Sequence, residues 1–305
     1  MDSVRSSQRL KRYVGALISR KAGLIATIIV LVGVWTSWGI GSRLVAPARQ
    51  VIGQPPIEFE ASTIEFESDS GALIRGWHLR PANSQGIIVL LHGIRSSRRM
   101  MLDRARMLYE AGFASLLIDL QSHGESSGEA ITFGARERFD ATAAVRIAKQ
   151  IHPGQPIGVI GVSLGGASAI LASPLVVDAM VVESVYGDIR RAVHNRVEAR
   201  LGPLSPLASS VLLYQLRYRL GIDPSELRPI DRIAKVGCPV MVISGSDDIH
   251  TTADETRALF AAANEPKSLW LVEGATHVDL YKAEPHEYRE RVLEFLFRSM
   301  EKPAR

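Results

Sequence analysis

Gly161-Val162-Ser163-Leu164-Gly165 is the segment of this 305-residue chain whose residue types and spacing most directly suggest chemistry. It follows the apolar run Pro156-Ile157-Gly158-Val159-Ile160 and leads into the small-residue stretch Gly166-Ala167-Ser168-Ala169. A strand, a sharp turn and a helix are therefore expected, with the serine at the tip. Such a turn strains the serine backbone and crowds it with neighbouring chain, so glycine is needed two residues to either side. It also exposes the hydroxyl and aims the Leu164 N–H at the place where negative charge develops during acyl transfer.

A serine hydroxyl is a weak nucleophile at neutral pH, so Ser163 requires a base, and the base requires a carboxylate to orient it. Both residue types occur downstream of strand-like runs. Asp248 follows Pro239 to Ile243 in Gly245-Ser246-Asp247-Asp248, and His277 follows Ser268 to Val272 in Gly274-Ala275-Thr276-His277. Asp247 is a rival acid and His250 a rival base in the same region. No group of His, Cys or carboxylates has metal-ligand spacing and no phosphate-binding glycine loop follows a strand, so no cofactor or metal is indicated.

These residues must be brought together by a repeating scaffold. Gly86 to Leu91, Phe113 to Ile118, Pro156 to Val162, Ala179 to Val185, Pro239 to Ile243 and Ser268 to Val272 are short aliphatic runs without polar alternation, as expected of strands covered on both faces. Helical patterns fall between them at Arg98 to Ala111, Gly134 to Gln150, Leu164 to Ala172, Ala253 to Ala263 and Glu284 to Ser299. Ile57 to Glu67 and Ala72 to Arg80 read as a strand pair turned at Asp69-Ser70-Gly71. The expectation is an α/β fold with a mostly parallel sheet flanked by helices. Residues 186 to 236 interrupt the rhythm and are expected to form a helical lid. Its Leu212, Leu213, Leu216, Tyr218 and Leu220 would either line a cleft or simply pack.

The N-terminal region is of another kind. Residues 1 to 21 carry Arg5, Arg9, Lys11, Arg12, Arg20 and Lys21 against Asp2, and residues 22 to 42 carry no charge at all. Twenty-one helical residues span roughly 31 Å, enough for a hydrocarbon core of about 30 Å, and Trp35 and Trp38 lie near the far end. A transmembrane helix is expected. Cleavage at Ala46-Pro47-Ala48 is the competing reading, but signal-peptide apolar cores are usually shorter. The excess of cations before the span puts the N-terminus in the cytoplasm and the larger part outside it, periplasmic if the source is Gram-negative. Leu10, Tyr13, Val14, Leu17 and Ile18 recur at helical spacing, consistent with a basic helix lying on an anionic leaflet. Residues 43 to 56 read as a linker and 57 to 305 as one domain.

The sequence pI near 9.3 comes mostly from this leader. The first 50 residues hold eight of the 36 Lys and Arg but one of the 32 acids, so the remainder is slightly acidic and charge gives a nucleic-acid partner no support. The single cysteine, Cys238, reads as a buried structural thiol.

From residue 57 to about 300 the chain resembles the α/β-hydrolase superfamily, particularly small-lid serine hydrolases related to prolyl oligopeptidase catalytic domains and serine aminopeptidase-like esterases. The likeness rests on Leu90-Leu91-His92-Gly93, on Asp119-Leu120-Gln121-Ser122-His123-Gly124-Glu125-Ser126, on the serine turn, and on the acid and histidine loops, in that order. It implies an eight-stranded sheet, with Ser163 as nucleophile, Asp248 as acid and His277 as base. It further implies an oxyanion hole formed by the backbone N–H groups of Ile94 and Leu164. His92 would shape the oxyanion loop, and His123 a structural or rim loop. The family often has proline near Thr251, which this chain lacks. Arg95, Arg98 and Arg99 stand beside the oxyanion loop and would either attract anionic substrates or be ordinary solvated cations. The implied activity is hydrolysis of an ester, thioester or amide, with a small or lipid-like acyl substrate. An acyltransferase, a peptidase or a non-catalytic binding protein of the same fold are the alternatives.

Overall fold

A computed structural model describes residues 2–277 and 279–301, without the side chains of residues 2–12 and 14–18. The chain divides into two units, Met1–Leu44 and Val45–Arg305.

The first unit is a single helix, α1 (Asp2–Val45), rather than a separate surface helix followed by a span. Within it Ser19–Val45 is long and apolar enough to cross a membrane. Leu24, Ile25, Ile29, Leu31 and Trp35 expose their side chains, which is not the pattern of a helix buried in a soluble core. The side chains of Leu10, Val14, Leu17 and Ile18 lie outside the described residues.

The second unit is built on one eight-stranded sheet: β1 (Ala61–Glu67), β2 (Leu73–Leu79), β3 (Ile87–Leu91), β4 (Ala114–Ile118), β5 (Ile157–Val162), β6 (Ala179–Glu183), β7 (Val240–Gly245) and β8 (Lys267–Val272). Its order is β8-β7-β6-β5-β3-β4-β2-β1, and β2 alone runs against its neighbours. Strand β3 shows why these segments are apolar throughout: Ile87, Val89 and Leu91 enter one core while Ile88 and Leu90 enter the other. The first core is covered by α3 (Glu137–Ile151), α4 (Leu164–Ala172) and α7 (Ala253–Ala262), and the second by α2 (Leu102–Glu110) and α9 (Pro285–Met300). A short helix, α8 (Leu280–Ala283), precedes α9.

Element boundaries depart from the expected ones where side chains or backbone conformation intervene. The first strand starts at Ala61 because a turn at Pro56–Phe59 precedes it, leaving Ile57 in solvent. Helix α3 starts at Glu137 rather than Gly134. Gly134 has φ +113°, and the Glu137 carboxylate accepts from the Thr132 and Gly134 N–H groups, so that stretch is a turn. The segment expected to be helical from Arg98 is a 3-10 turn through Met101.

Two features frame the carboxyl rim of the sheet. One is the lid hairpin, α5 (Ile189–Leu201) and α6 (Ser205–Leu220), followed by 3-10 turns up to Lys235. The other is the segment expected to be a linker. It is fastened to the domain: Ala48–Arg49 pair in parallel with His123–Gly124, and Ile52 is buried.

Candidate active site

Ser163 sits between β5 and α4 with φ +49° and ψ −107°, a left-handed conformation that serine adopts only when its surroundings enforce it. The enforcement is visible in the neighbouring glycines. A Cβ on Gly161 would come within 2.5 Å of the Gly166 nitrogen, and one on Gly165 within 2.3 Å of the Leu91 carbonyl oxygen. The Ser163 N–H donates to the Glu183 carbonyl at 2.7 Å, tying the turn to the end of β6. Leu164 is the first residue of α4, so its N–H has no carbonyl partner within the helix and faces outward from the positive end of the helix dipole.

Asp248 and His277 meet directly. His277 Nδ1 lies 2.7 Å from Asp248 Oδ2, which places the ring proton on Nδ1 and leaves the Nε2 lone pair available as a base. Asp248 is buried, and burial pushes its carboxyl upward. Hydrogen bonds from His277 and then Thr251 more than offset this and hold the pKa at about 2. The Thr251 hydroxyl donates to Asp248 Oδ2, and the Thr251 and His250 N–H groups donate to Oδ1 at 3.0 and 2.8 Å. Thr251 thus supplies a side-chain donor in the loop where the family often carries proline.

The rival residues fall elsewhere. Asp247 is exposed and takes a hydrogen bond from the Ser246 hydroxyl. The His250 ring stacks edge-on against His277 with centroids 5.4 Å apart, and its contact with Asp248 is through the backbone.

The loop after β3, expected to supply an oxyanion N–H, is positioned by a buried histidine. His92 Nδ1 bonds the Gly93 carbonyl at 2.7 Å and Nε2 accepts from the Leu120 N–H at 3.0 Å, so the buried ring is neutral with its proton on Nδ1. Burial, with His123 nearby, pulls its pKa down to about 3. Gly93 brings the loop close to Ser163: a Cβ there would lie 3.8 Å from the Ser163 Cβ. Ile94 follows it, and Arg95 has φ +57°, a second strained residue at the same rim.

Of the arginines beside this loop, Arg95 and Arg99 are exposed, as ordinary cations would be, but Arg98 is not. Arg98 is buried, paired with Asp119 and Glu125, and lies 4.7 Å over the Trp77 ring. A guanidinium so enclosed has no face for substrate. Arg99 reaches the Ile52 carbonyl and Arg95 the Ala46 carbonyl, so both hold the incoming chain. The helical spacing of these cations hid this role, because Asp119 and Glu125 come from a distant loop.

A second buried cation escaped sequence reasoning altogether. Arg104 of α2 donates from Nε and Nη2 to the Glu183 carboxylate and from Nη2 to Asp279 at 2.9 Å, while the Tyr288 hydroxyl donates to Glu183 at 2.6 Å. Glu183 carries the carbonyl that receives the Ser163 N–H, and Asp279 lies two residues after His277. One guanidinium therefore ties the serine turn to the histidine loop. Isolated Arg and Glu residues give no pairing signal when 79 positions separate them.

In the α5–α6 hairpin, Leu216 is buried and Leu213 and Leu220 pack on the core, whereas Tyr218 is exposed. No cluster of three or more potential metal ligands occurs among the described residues.

The comparisons with known proteins agree with this architecture. Residues 88–291 match the alpha/beta hydrolase family. The protein YqkD of Bacillus subtilis is 28% identical over 249 residues, covering 78% of this chain and 80% of its own length. Rv2307c of Mycobacterium tuberculosis is 30% identical over 228 residues, 71% of this chain and 72% of its own. The esterase Pf2001 of Pyrococcus furiosus superposes with a TM-score of 0.70 at 25% identity, covering 85% of this chain and 99% of that one. With the match spanning well over half of its residues, and with the strand order and serine turn described above, the chain belongs to the alpha/beta hydrolase family.

Proposed function

We propose that this protein is a membrane-anchored serine hydrolase that cleaves a carboxylic ester through an acyl-serine intermediate, with thioesters and amides as lesser substrates. The observation that carries the reading is the Asp248–His277 hydrogen bond, formed at the rim that also carries a strained Ser163. Ser163 Oγ attacks the ester carbonyl as its proton passes to His277 Nε2. The tetrahedral oxyanion is held by the Ile94 and Leu164 N–H groups. The carbon–oxygen bond to the alcohol breaks, and the alcohol leaves with the proton from His277. Water then attacks the acyl-serine by the same route and releases the acid.

Asp248 keeps the imidazole oriented and stabilises its cation without taking the proton, in keeping with a carboxyl whose pKa lies at about 2. The esterase Pf2001 supports an ester over a peptide substrate. The apolar exposed length of α1 supports anchoring, and the cations before it support a catalytic unit outside the cytoplasm.

The test is labelling with a fluorophosphonate together with hydrolysis of p-nitrophenyl esters. The wild-type chain is expected to form one adduct and Ser163→Ala none, with ester turnover lost by about 10⁴-fold or more while the fold persists. Equal labelling or turnover in the two proteins would sink the proposal. A protease-protection assay that found the catalytic unit inside would reverse the topology.

A further inference from the structure

The outer lid helix wears its residues the wrong way round. Helix α6 buries Ser205, Ser209 and Gln215 beside Leu216, while Leu207, Val211, Tyr214 and Tyr218 face solvent, three of the four at more than 70% exposure. These four recur at intervals of four, three and four residues, so they form one stripe along the helix. Leu201 and Leu204 in the preceding turn extend it. The buried Ser209 hydroxyl is satisfied locally, donating to the Ser205 and Pro206 carbonyls. The arrangement is thus stable as it stands, but it leaves a continuous apolar stripe in water, which marks an interaction surface more often than chance exposure does.

Charge and chain connectivity point to what covers it. Between Ile189 and Leu220 the hairpin carries six arginines against a single acid, Glu198; Arg190 meets Asp188 and Asp223 and Arg196 is turned toward Asp248 and Glu255, which leaves Arg191, Arg200, Arg217 and Arg219 for the outer face. An apolar stripe bordered by arginines on a helix is the composition that seats at an anionic lipid interface, with tyrosines at headgroup depth. The hairpin lies at the catalytic rim, since Asn195 of α5 donates to the His250 carbonyl at 3.3 Å and His250 stacks on His277. The same rim receives the chain from α1. The Ile131 N–H donates to the Val45 carbonyl, Arg95 bonds the Ala46 carbonyl, and Arg95 is the neighbour of the oxyanion donor Ile94. Val45 and Ala46, where the chain enters the second unit, are thus bonded to loops of this rim.

Resting on the reading of α1 as a span and of the rim as a serine hydrolase site, we infer that the stripe on α6 lies on the anionic leaflet in which α1 is anchored. The active site then opens at the bilayer surface and takes a leaflet-resident acyl ester. The tether and the stripe act together: the span supplies a high local concentration, so that a modest patch suffices to hold the lid on the lipid.

The experiment uses the full chain reconstituted into vesicles of phosphatidylethanolamine and phosphatidylglycerol. Leu207→Cys carries an environment-sensitive fluorophore and Lys149→Cys, near the end of α3 at the opposite rim, serves as the control; the native Cys238 is buried. Lipid-borne spin labels are expected to quench the fluorophore at position 207 and not at 149, and less so when neutral phosphatidylcholine replaces the anionic lipid. Absence of quenching at 207 overturns the inference. Disulfide cross-linking of Leu207→Cys between copies, without quenching, would assign the stripe to a second copy of the chain instead.

A triple variant, Leu207→Ser, Val211→Ser and Tyr214→Ser, sharpens the substrate class. It is expected to lose about tenfold in hydrolysis of a vesicle-embedded long-acyl ester relative to a soluble short-chain ester. An unchanged ratio would overturn the leaflet substrate. Fluorophosphonate labelling of Ser163 is followed in the same samples. Failure to label strikes the hydrolase reading, whereas quenching judges the docking whether or not the site is active. Extraction of the wild-type chain from vesicles by alkaline carbonate would overturn both the span and the docking.

Discussion

The catalytic rim and the lid handle charge and apolar surface in opposite ways. Beneath the rim, charged groups are hidden and matched: Arg104 with Glu183 and Asp279, Arg98 with Asp119 and Glu125, and Asp248 with His277 and Thr251. On α6, Ser205, Ser209 and Gln215 are hidden while Leu207, Val211, Tyr214 and Tyr218 face water. Buried ions fix distances, because a guanidinium that leaves its carboxylate strands both in a poor dielectric. The rim is therefore built to hold one geometry. The α5–α6 hairpin, by contrast, leaves Leu207, Val211, Tyr214 and Tyr218 exposed.

That contrast can be broken at several points, beginning with the largest effect. Asp248→Asn keeps the shape of the acid but offers an amide to His277, favouring the wrong tautomer. It should lower kcat by about 10⁴-fold with little change in KM. Steady-state kinetics on a soluble ester read this directly, and a loss smaller than tenfold would mean that Asp248 is not the orienting acid.

Arg104→Ala should cost about 3–5 kcal/mol of stability in urea unfolding, because Glu183 is left buried without a counter-ion, with only the Tyr288 hydroxyl donating to its carboxylate. Glu183→Gln restores a neutral partner in the double variant and should recover much of that loss. If Arg104→Ala cost less than 1 kcal/mol, the rim would not depend on its buried ions and the contrast with the lid would collapse.

The oxyanion loop makes a pH prediction through His92. Its folded pKa of about 3 lies below the ordinary value of 6.5 because burial, and then His123, disfavours the imidazolium. The unfolded chain binds a proton as pH falls through about 6.5 while the folded chain does not until about 3. Folding is therefore progressively destabilised across that window, and above it His92 contributes nothing to the pH dependence. By pH 4 the loss from this residue should be about 2–4 kcal/mol. Replacing the ring by His92→Asn should flatten the slope of unfolding free energy between pH 4 and 6.5. An unaltered slope would show that the ring is not held neutral.

The smallest effect is expected on the lid. Leu207→Ser should change stability in solution by no more than about 0.5 kcal/mol, since the side chain is already in water. Leu216→Ala, on the buried face of the same helix, should cost about 2–3 kcal/mol. Similar costs at the two positions, measured by the same urea titrations, would mean that α6 is seated differently from the arrangement described here.

Much of the molecule was legible in local pattern. Helix α4 begins and ends where its small residues predict, and each central strand falls within two residues of its aliphatic run. The reason is physical: a strand covered on both faces must be apolar at every position, and a turn this tight tolerates only glycine at Gly161 and Gly165. Asp248 could be favoured over Asp247 on family spacing, and the hydrogen bond to His277 agrees with that choice. Legibility failed for Arg98, whose neighbours in sequence suggested a solvated helix face, and for Thr251, where a missing proline hid a useful hydroxyl. It failed again on α6, where the leucines that pack and the leucines that do not follow one another without any compositional difference.

What the sequence determined by itself is thus the set of short-range requirements: which segments are strands, where the serine turn must fall, which histidine and carboxylate types are on offer, and that α1 is apolar enough to span a membrane. What only the tertiary structure decided is which distant charges are partners and which apolar faces are left over. Burial makes the difference. A guanidinium is bound to its carboxylate only once both leave water, and a leucine is surplus only when the surface that could cover it has been used elsewhere.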